Sequence, residues 1–90
     1  MYYVYILTCA DRTLYTGITT DLEKRINEHN CGVAGAKYTR SRLPVFLSYA
    51  QGVGDKSAAL KEEYRLKQLT RAEKLVLIKE YKKSPKKKKK

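Results

Sequence analysis

Tyrosines are concentrated in two short apolar segments near the start of this 90-residue chain. The first segment contains Tyr3-Val4-Tyr5 and the second contains Tyr15-Thr16-Gly17. A tyrosine hydroxyl can order a water molecule or a phosphate oxygen, and it can transfer a proton if its pKa is moved from about 10. The relative placement of Tyr5 and Tyr15 is therefore the first question.

Three side chains further along have types suited to chemistry at a phosphate, namely Arg25, His29 and Glu63. Arg25 and His29 are four residues apart, so we predict that they share one side of a helix, with their charged ends free. Glu63 falls within a largely apolar stripe of a later helix, whereas Glu62 is predicted to point outward. A carboxylate in the position of Glu63 needs a partner, either a divalent cation or a lysine or arginine of a neighbouring element.

The tyrosine segments are predicted to pair as a β-hairpin around a turn at Cys9 to Arg12. Side chains alternate along strands, so an odd number of loop residues makes Tyr5 and Tyr15 diagonal neighbours and places Gly17 across from Tyr5. The missing side chain of Gly17 then leaves room for a ligand. We place Tyr5 and Arg25 outside the apolar layer.

The rest of the chain predicts one further strand and three helices. These elements are a helix from about Asp21 to Asn30, a strand from Val45 to Ala50, a helix from about Lys56 to Leu69 and a helix from Thr70 through Tyr81. Capping boxes at Thr20 and at Thr70 are expected to start the first and last helices. The predicted order is β-β-α-β-α-α, an α+β fold.

The third predicted strand is almost continuously apolar. We therefore place it beside the first strand and not at an open edge. A predicted loop from Gln51 to Asp55, which contains two glycines, separates this strand from the next helix. In the helix that follows, the predicted apolar stripe, which includes Glu63, consists of Ala59, Leu60, Glu63, Tyr64 and Leu66.

A cationic segment, Lys37-Tyr38-Thr39-Arg40-Ser41-Arg42, precedes that strand. Lysine and arginine bind phosphates, and a tyrosine can stack on a base or donate a hydrogen bond. We interpret Lys37, Tyr38, Arg40 and Arg42 as nucleic-acid-binding residues. A polar connector is the alternative interpretation.

Charge is distributed unevenly along the chain. The 20 lysines and arginines against nine acids give a net charge of +11. Seven of those lysines lie in residues 82–90, so residues 1–81 carry 13 basic and nine acidic residues, or +4. We predict one domain over residues 1–81 and a disordered lysine-rich tail over residues 82–90 that attracts nucleic acid in preference to an anionic membrane.

Several classes of protein are disfavoured by what the sequence contains. Cys9 and Cys31 have no metal-ligand spacing and are expected to be free thiols, as in the cytoplasm. The chain has no apolar run of the roughly 18 residues that a membrane span needs. It also shows no nucleophilic triad, zinc cluster or glycine-rich nucleotide loop, which leaves phosphodiester hydrolysis as the favoured chemistry.

The two tyrosine triplets, together with Arg25, His29 and Glu63, resemble the motif of the GIY-YIG nuclease superfamily over residues 2 to about 81. The chain looks most like small single-domain bacterial and archaeal members, which are similar to nucleases that cut branched DNA. The resemblance implies a three-stranded antiparallel sheet flanked by helices, with a single-metal site. Tyr5, Tyr15 and Arg25 match its catalytic positions, and Glu63 matches its metal ligand. His29, also assigned as catalytic, matches a histidine found in some branches, the branched-DNA cutters among them. An asparagine found downstream in several members has no evident counterpart.

We therefore predict a metal-dependent endonuclease that hydrolyses DNA, with branched or damaged DNA in repair or recombination as its substrate. Glu63 would hold one Mg²⁺ or Mn²⁺ ion, and Tyr5 would deprotonate water if neighbouring cations lower its pKa. We expect DNA as a partner, a protein partner for substrate recognition, and neither a membrane nor a small-molecule cofactor. The alternative is a nucleic-acid-binding module that has this fold and little activity alone. A protein-interaction adaptor is the third hypothesis.

Overall fold

A three-stranded antiparallel sheet and three helices form the part of the protein that the computed structural model describes, residues 1–31 and 42–83. The elements are β1 (Tyr2–Thr8), β2 (Leu14–Thr19), α1 (Leu22–Cys31), β3 (Phe46–Gly54), α2 (Lys56–Lys67) and α3 (Arg71–Lys83). The predicted α+β class and the order β-β-α-β-α-α are confirmed. None of these helices is long and apolar enough to cross a membrane.

Strand β1 lies at the centre of the sheet, in the order β2-β1-β3. The prediction that the third strand lies beside the first is confirmed, but its placement away from an edge is wrong, because β3 has no second neighbour among the described strands. Nor is the segment Gln51 to Gly54 a loop. It continues β3, since hydrogen bonding to the central strand compensates for the weak strand preference of its two glycines.

The two faces of β1 belong to separate apolar clusters. Val4 and Ile6 pack with Leu66 of α2 and Ile78 of α3, whereas Tyr5 packs with residues of β3 and the hairpin loop on the opposite face. Tyr5 is 1% exposed, so its placement outside the apolar layer is wrong. A central strand covered on both faces buries side chains that point either way, and in β1 the four middle residues, Val4 to Leu7, are buried.

The hairpin has the register that the sequence predicts. Its loop contains five residues between Thr8 and Leu14, an odd number, and Tyr5 pairs with Gly17 while Leu7 pairs with Tyr15. Tyr5 and Tyr15 are therefore diagonal neighbours on one face of the sheet, as expected.

The hydrogen bonds that cap the starts of the helices are partly predictable from the sequence. The capping box at Thr70 is confirmed, because its hydroxyl accepts from the Glu73 N–H at 3.2 Å and the Glu73 carboxylate accepts from the Thr70 N–H at 2.8 Å. The box at Thr20 is wrong. Asp21 caps α1 instead, since its carboxylate accepts from the Lys24 N–H at 3.1 Å.

The apolar stripe predicted for α2 is confirmed at Ala59 and Leu66 and wrong at Leu60 and Tyr64. Ala59 and Leu66 are the buried side chains of this helix, whereas Leu60 and Tyr64 are 45% and 69% exposed. The helix is therefore rotated relative to the predicted orientation, which brings its two glutamates, Glu62 and Glu63, to the border of the buried face.

Candidate active site

Three aromatic side chains from three elements meet on one face of the sheet. Tyr5 comes from β1, Tyr15 from β2 and His29 from the last turn of α1. The ring centroids of Tyr5 and Tyr15 are 6.5 Å apart, and those of Tyr15 and His29 are 5.5 Å apart. The Tyr5 hydroxyl oxygen lies 3.3 Å from His29 Nε2, within hydrogen-bond range. We call Tyr5, Tyr15 and His29 the aromatic cluster.

The burial of His29 differs from the prediction that its ring is exposed and free. His29 is 1% exposed. Leu22, Ile26 and His29 are spaced at helical intervals on α1, so docking the two apolar side chains on the sheet carries the imidazole inward with them. Arg25 stays nearer the surface, with its side chain 27% exposed, and donates to the Glu28 carboxylate at 3.2 Å.

Burial raises the pKa of the Tyr5 phenol above its ordinary value and outweighs the interaction with the Arg25 guanidinium, which lowers it. The nearby Tyr15 phenol and the charge of Glu63 raise the pKa further. The expectation that neighbouring cations lower this pKa is thus not met. Tyr5 is a protonated phenol at neutral pH, able to donate a hydrogen bond to His29 while its oxygen accepts one from Arg25.

The His29 imidazole is shifted in the opposite direction. Burial lowers its pKa below the ordinary value, and the charge of Arg25 lowers it further, while Glu28 partly opposes this. His29 is therefore neutral at pH 7 and can accept a proton at Nε2 when Nδ1 carries the hydrogen.

This shift predicts acid sensitivity of the fold. The unfolded chain protonates His29 near its ordinary pKa of about 6.5, whereas the folded chain resists protonation until the pH is lower. Between the pKa of His29 in the folded chain and its pKa in the unfolded chain, the unfolded state binds more protons. The free energy of unfolding should therefore decrease as the pH falls below about 6.5. Thermal melting from about pH 7.5 to about pH 5 should show this slope in the wild type and not in His29→Gln. Parallel pH curves for the two proteins would contradict the assignment.

The space beside Gly17 is filled by the Tyr5 ring and is not open. A Cβ at position 17 would lie 2.6 Å from the Tyr5 hydroxyl oxygen and 3.2 Å from Cε2 of Tyr15. The predicted room for a ligand is therefore filled by the phenol itself. Glycine is required here by the close approach of the catalytic candidate to the neighbouring strand.

Gly17→Ala should consequently displace Tyr5 and destabilise the protein by about 1–3 kcal/mol, as overpacking of a core does. Gly52→Ala is the matched control, because a Cβ there would meet only the end of the flexible Met1 side chain at 2.6 Å and Tyr3 at 3.4 Å. Chemical denaturation of both variants measures the difference. Equal stability of the two variants would show that the Tyr5 ring moves aside at little cost.

The Glu63 carboxylate pairs with a cation of its own helix, and its charge also acts on Tyr5 of the aromatic cluster. Its side chain is 20% exposed, and Lys67, one turn later in α2, lies 3.3 Å from the carboxylate. Its charge contributes to the raised pKa of Tyr5. Glu62 does not point outward as predicted, because it is 21% exposed and pairs with Arg65. Its charge acts on Tyr49 instead.

The predicted nucleic-acid-binding residues are only partly described. Lys37, Tyr38 and Arg40 lie outside the described residues. Arg42 donates to the Asp11 carboxylate of the hairpin loop at 2.9 Å, and its backbone oxygen accepts from Ala10. The structure thus ties Arg42 to the loop between β1 and β2.

A family model described as the GIY-YIG catalytic domain matches residues 1–89 of this chain. The chain belongs to the GIY-YIG family. The predicted resemblance is thereby confirmed, and the fold carries a domain of the nuclease type.

The similarity of this GIY-YIG domain to its relatives extends over nearly their whole length. The chain is 56% identical over 78 residues to a UPF0213 protein of Syntrophus aciditrophicus, which covers 87% of this chain and 90% of the relative. It is 52% identical over 78 residues to the UPF0213 protein VNG_2274C of Halobacterium salinarum, covering 87% and 100%.

Two solution NMR structures have the same fold. The UPF0213 protein BH0048 from Bacillus halodurans is 45% identical, with a TM-score of 0.55 and coverage of 88% of this chain and 84% of that one. The protein EF2693 from E. faecalis is 39% identical, with a TM-score of 0.60 and coverage of 92% and 88%.

GIY-YIG nuclease domains generally depend on a divalent metal ion, and Glu63 offers the hard oxygen that Mg²⁺ and Mn²⁺ prefer. Within residues 1–31 and 42–83, no group of three or more histidine, cysteine, aspartate or glutamate side chains could hold a metal together. An ion at Glu63 would therefore keep mostly water ligands, as Mg²⁺ commonly does. The donor set fits a hydrated divalent cation anchored by one carboxylate.

Asn30 is a site-supporting residue whose role sequence reasoning missed. Its side-chain oxygen accepts from the Val45 N–H at 2.7 Å, and its amide nitrogen donates to the Val45 carbonyl at 3.2 Å. This two-point contact fixes the end of α1 to the residue just before β3. Because Asn30 follows His29 directly, it holds the imidazole-bearing turn against the sheet. The signal was a polar residue next to the histidine at a predicted helix end.

Proposed function

We propose that this protein is a metal-dependent endonuclease that hydrolyses phosphodiester bonds in DNA, with branched or damaged DNA as its substrate in repair or recombination. The observation that carries the proposal is the environment of one hydroxyl. The Tyr5 oxygen lies 3.3 Å from His29 Nε2, and both Arg25 and Glu63 are close enough to affect its pKa. The phenol thus has a proton acceptor within hydrogen-bond range, and a cation and a carboxylate act on it through their charges.

The raised pKa of Tyr5 determines how the phenol takes part. A tyrosinate formed in advance is disfavoured by burial. Tyr5 instead accepts a proton from the attacking water while its own hydroxyl proton passes to His29 Nε2, so no charge accumulates on the phenol. The imidazole must be neutral when it receives this proton, and its lowered pKa keeps it in that form before the transfer; it carries the proton as an imidazolium afterwards.

Arg25 and Tyr15 supply the remaining functions of the protein side chains. The Arg25 guanidinium places fixed positive charge beside Tyr5, where the phosphate becomes more negative in the transition state. Tyr15 packs edge-on to His29 and orders the water or a phosphate oxygen. Glu63 would hold a divalent ion, which would supply polarisation of the phosphate and stabilisation of the leaving oxygen.

The test is cleavage of labelled single-stranded, duplex, flap and junction DNA by the purified protein. We expect cutting of at least one of these substrates with Mg²⁺ or Mn²⁺ and none in EDTA. If the protein cuts none of the four substrates with either metal, the proposal is overturned.

A DNA-binding module without chemistry of its own is the second candidate. It is favoured by the contact between Glu63 and Lys67, in which the ammonium group occupies the position of a cation at the carboxylate. With a net charge of +11, such a module would bind DNA with an affinity that falls steeply as salt rises, and Glu63→Ala would leave that affinity intact. Salt-independent binding would exclude it.

A further inference from the structure

A groove separate from the aromatic cluster lies between the outer edge of β3 and helix α3. Its volume is about 330 Å³, and it is lined by Tyr49, Ala50, Gln51, Leu77, Glu80 and Tyr81. The rings of Tyr49 and Tyr81 are tilted against each other with centroids 5.6 Å apart. Both tyrosines and Leu77 are half-buried, whereas Gln51 and Glu80 are exposed at the rim. A pocket of this size accommodates a small planar molecule.

The groove is next to the candidate active site in the sheet. Ala50, one of its lining residues, is the register partner of Tyr5 across β1 and β3. Partner residues of an antiparallel pair are about 5 Å apart between their Cα atoms and share a face. Tyr49 and Gln51 alternate to the other face of β3, so the groove extends around the outer edge of this strand. A DNA strand with its phosphate at Tyr5 would reach the groove by passing around that edge.

The lining has the chemistry of a nucleobase site. Aromatic rings stack on the face of any base, and Leu77 extends the apolar wall. The Tyr49 hydroxyl donates to Gln51 Oε1 at 2.8 Å, which orients the Gln51 amide so that its NH₂ group can serve as a donor to a base. The Glu80 carboxylate is suited to accept from a base amino group.

The charge of the lining residues favours a base over a phosphate as the occupant of the groove. The six lining residues include Glu80 and neither a lysine nor an arginine, so the groove repels a phosphate. Exposed Lys79 and Lys82 lie on the same helix beside Glu80 and Tyr81, where they can contact the flanking backbone of the strand. An apolar aromatic slot with cations beside it matches a base whose own phosphates stay outside.

We propose that this groove binds one unpaired nucleobase of the DNA strand whose phosphate lies at the aromatic cluster. A base paired within a duplex is stacked and cannot enter, so the groove favours substrates with single-stranded nucleotides near the cleavage point. The proposal rests on the proposed function in taking DNA as the ligand, and it assigns a second contact on the same strand.

The experiment measures binding of a short oligodeoxycytidylate by fluorescence anisotropy in EDTA, where no metal-dependent cleavage occurs. Tyr81→Leu keeps an apolar side chain and removes the ring, so affinity should fall roughly tenfold to hundredfold, the value of one base stacked on an aromatic side chain. Tyr81→Phe should bind as the wild type does. Tyr64→Leu, which removes a 69% exposed tyrosine of α2 outside the groove, is the matched control and should also bind normally.

A strand of the same length made of abasic units separates base binding from backbone binding. The wild type should bind it more weakly than oligodeoxycytidylate, and Tyr81→Leu should weaken it no further. In NMR spectra of the wild type, the ring protons of Tyr49 and Tyr81 should shift on adding oligodeoxycytidylate and not on adding the abasic strand. This second measurement does not depend on how well a variant folds.

Equal affinity of the wild type for the base-bearing and abasic strands would overturn the proposal, as would unshifted Tyr49 and Tyr81 signals. Loss of both affinities in Tyr81→Leu would do so as well. These outcomes are independent of the nuclease test. Base binding without cleavage would reject the nuclease and keep the groove, whereas metal-dependent cleavage without base binding would reject the groove alone.

Discussion

Tyr5→Phe is expected to lower the rate of DNA cleavage by about 10²- to 10⁴-fold, the usual contribution of a positioned acid–base group. The substitution removes the hydroxyl that lies 3.3 Å from His29 Nε2 and keeps the ring that packs in the core. The route by which the proton leaves the attacking water is lost, while the binding surface is unchanged. Single-turnover cleavage with saturating protein measures the effect on chemistry directly.

The fold should survive this change at a modest cost. Loss of one buried hydrogen bond destabilises by about 1 kcal/mol, and the Tyr5 ring still fills its place in the apolar cluster. Tyr3→Phe is the matched control, because Tyr3 lies two residues away on the same strand and face and its ring lies toward Gly52. Wild-type cleavage by Tyr5→Phe, or an equal loss in Tyr3→Phe, would contradict the role given to this hydroxyl.

The sequence contains enough information to predict how the two tyrosine strands pair. Alternation along β1 and β2 and an odd loop length fix the register, and the structure shows Tyr5 opposite Gly17 as expected. Periodicity likewise predicts that Leu22 and Ile26 of α1 face the core. These features depend on local spacing, which the sequence states directly.

Burial within the site could not be predicted in the same way. Whether Tyr5 and His29 are solvent-exposed depends on which elements cover their face of the sheet, and that depends on contacts between residues far apart in sequence. The missing side chain at Gly17 was interpreted as open space, because the sequence does not show that the Tyr5 ring bends over it. The raised pKa of Tyr5 follows from the same tertiary packing.

The orientation of α2 on the sheet also depends on tertiary packing. The stripe predicted from the sequence contains Ala59, Leu60, Glu63, Tyr64 and Leu66, yet of these only Ala59 and Leu66 are buried. Helical periodicity places the five residues on one side of the helix, but it does not determine which part of that side meets the sheet. The rotation places both Glu62 and Glu63 at the same depth, so Glu62 is a matched control for substitutions of Glu63.

The most direct measurement compares DNA cleavage by the wild type, Glu63→Ala and Glu62→Ala, each with Mg²⁺ and with EDTA. The two glutamates are adjacent in α2, are 20% and 21% exposed and each pair with a cation, but only Glu63 acts on the pKa of Tyr5. We predict that Glu63→Ala loses at least about 100-fold in cleavage rate, since a metal supplies several kcal/mol of transition-state stabilisation.

In the same comparison, Glu62→Ala should cut as the wild type does, EDTA should stop cutting by every protein, and both variants should still bind DNA. That result would establish a metal-dependent nuclease with its ligand at Glu63. Cleavage by Glu63→Ala at the wild-type rate, or cutting that persists in EDTA, would contradict the account at its centre.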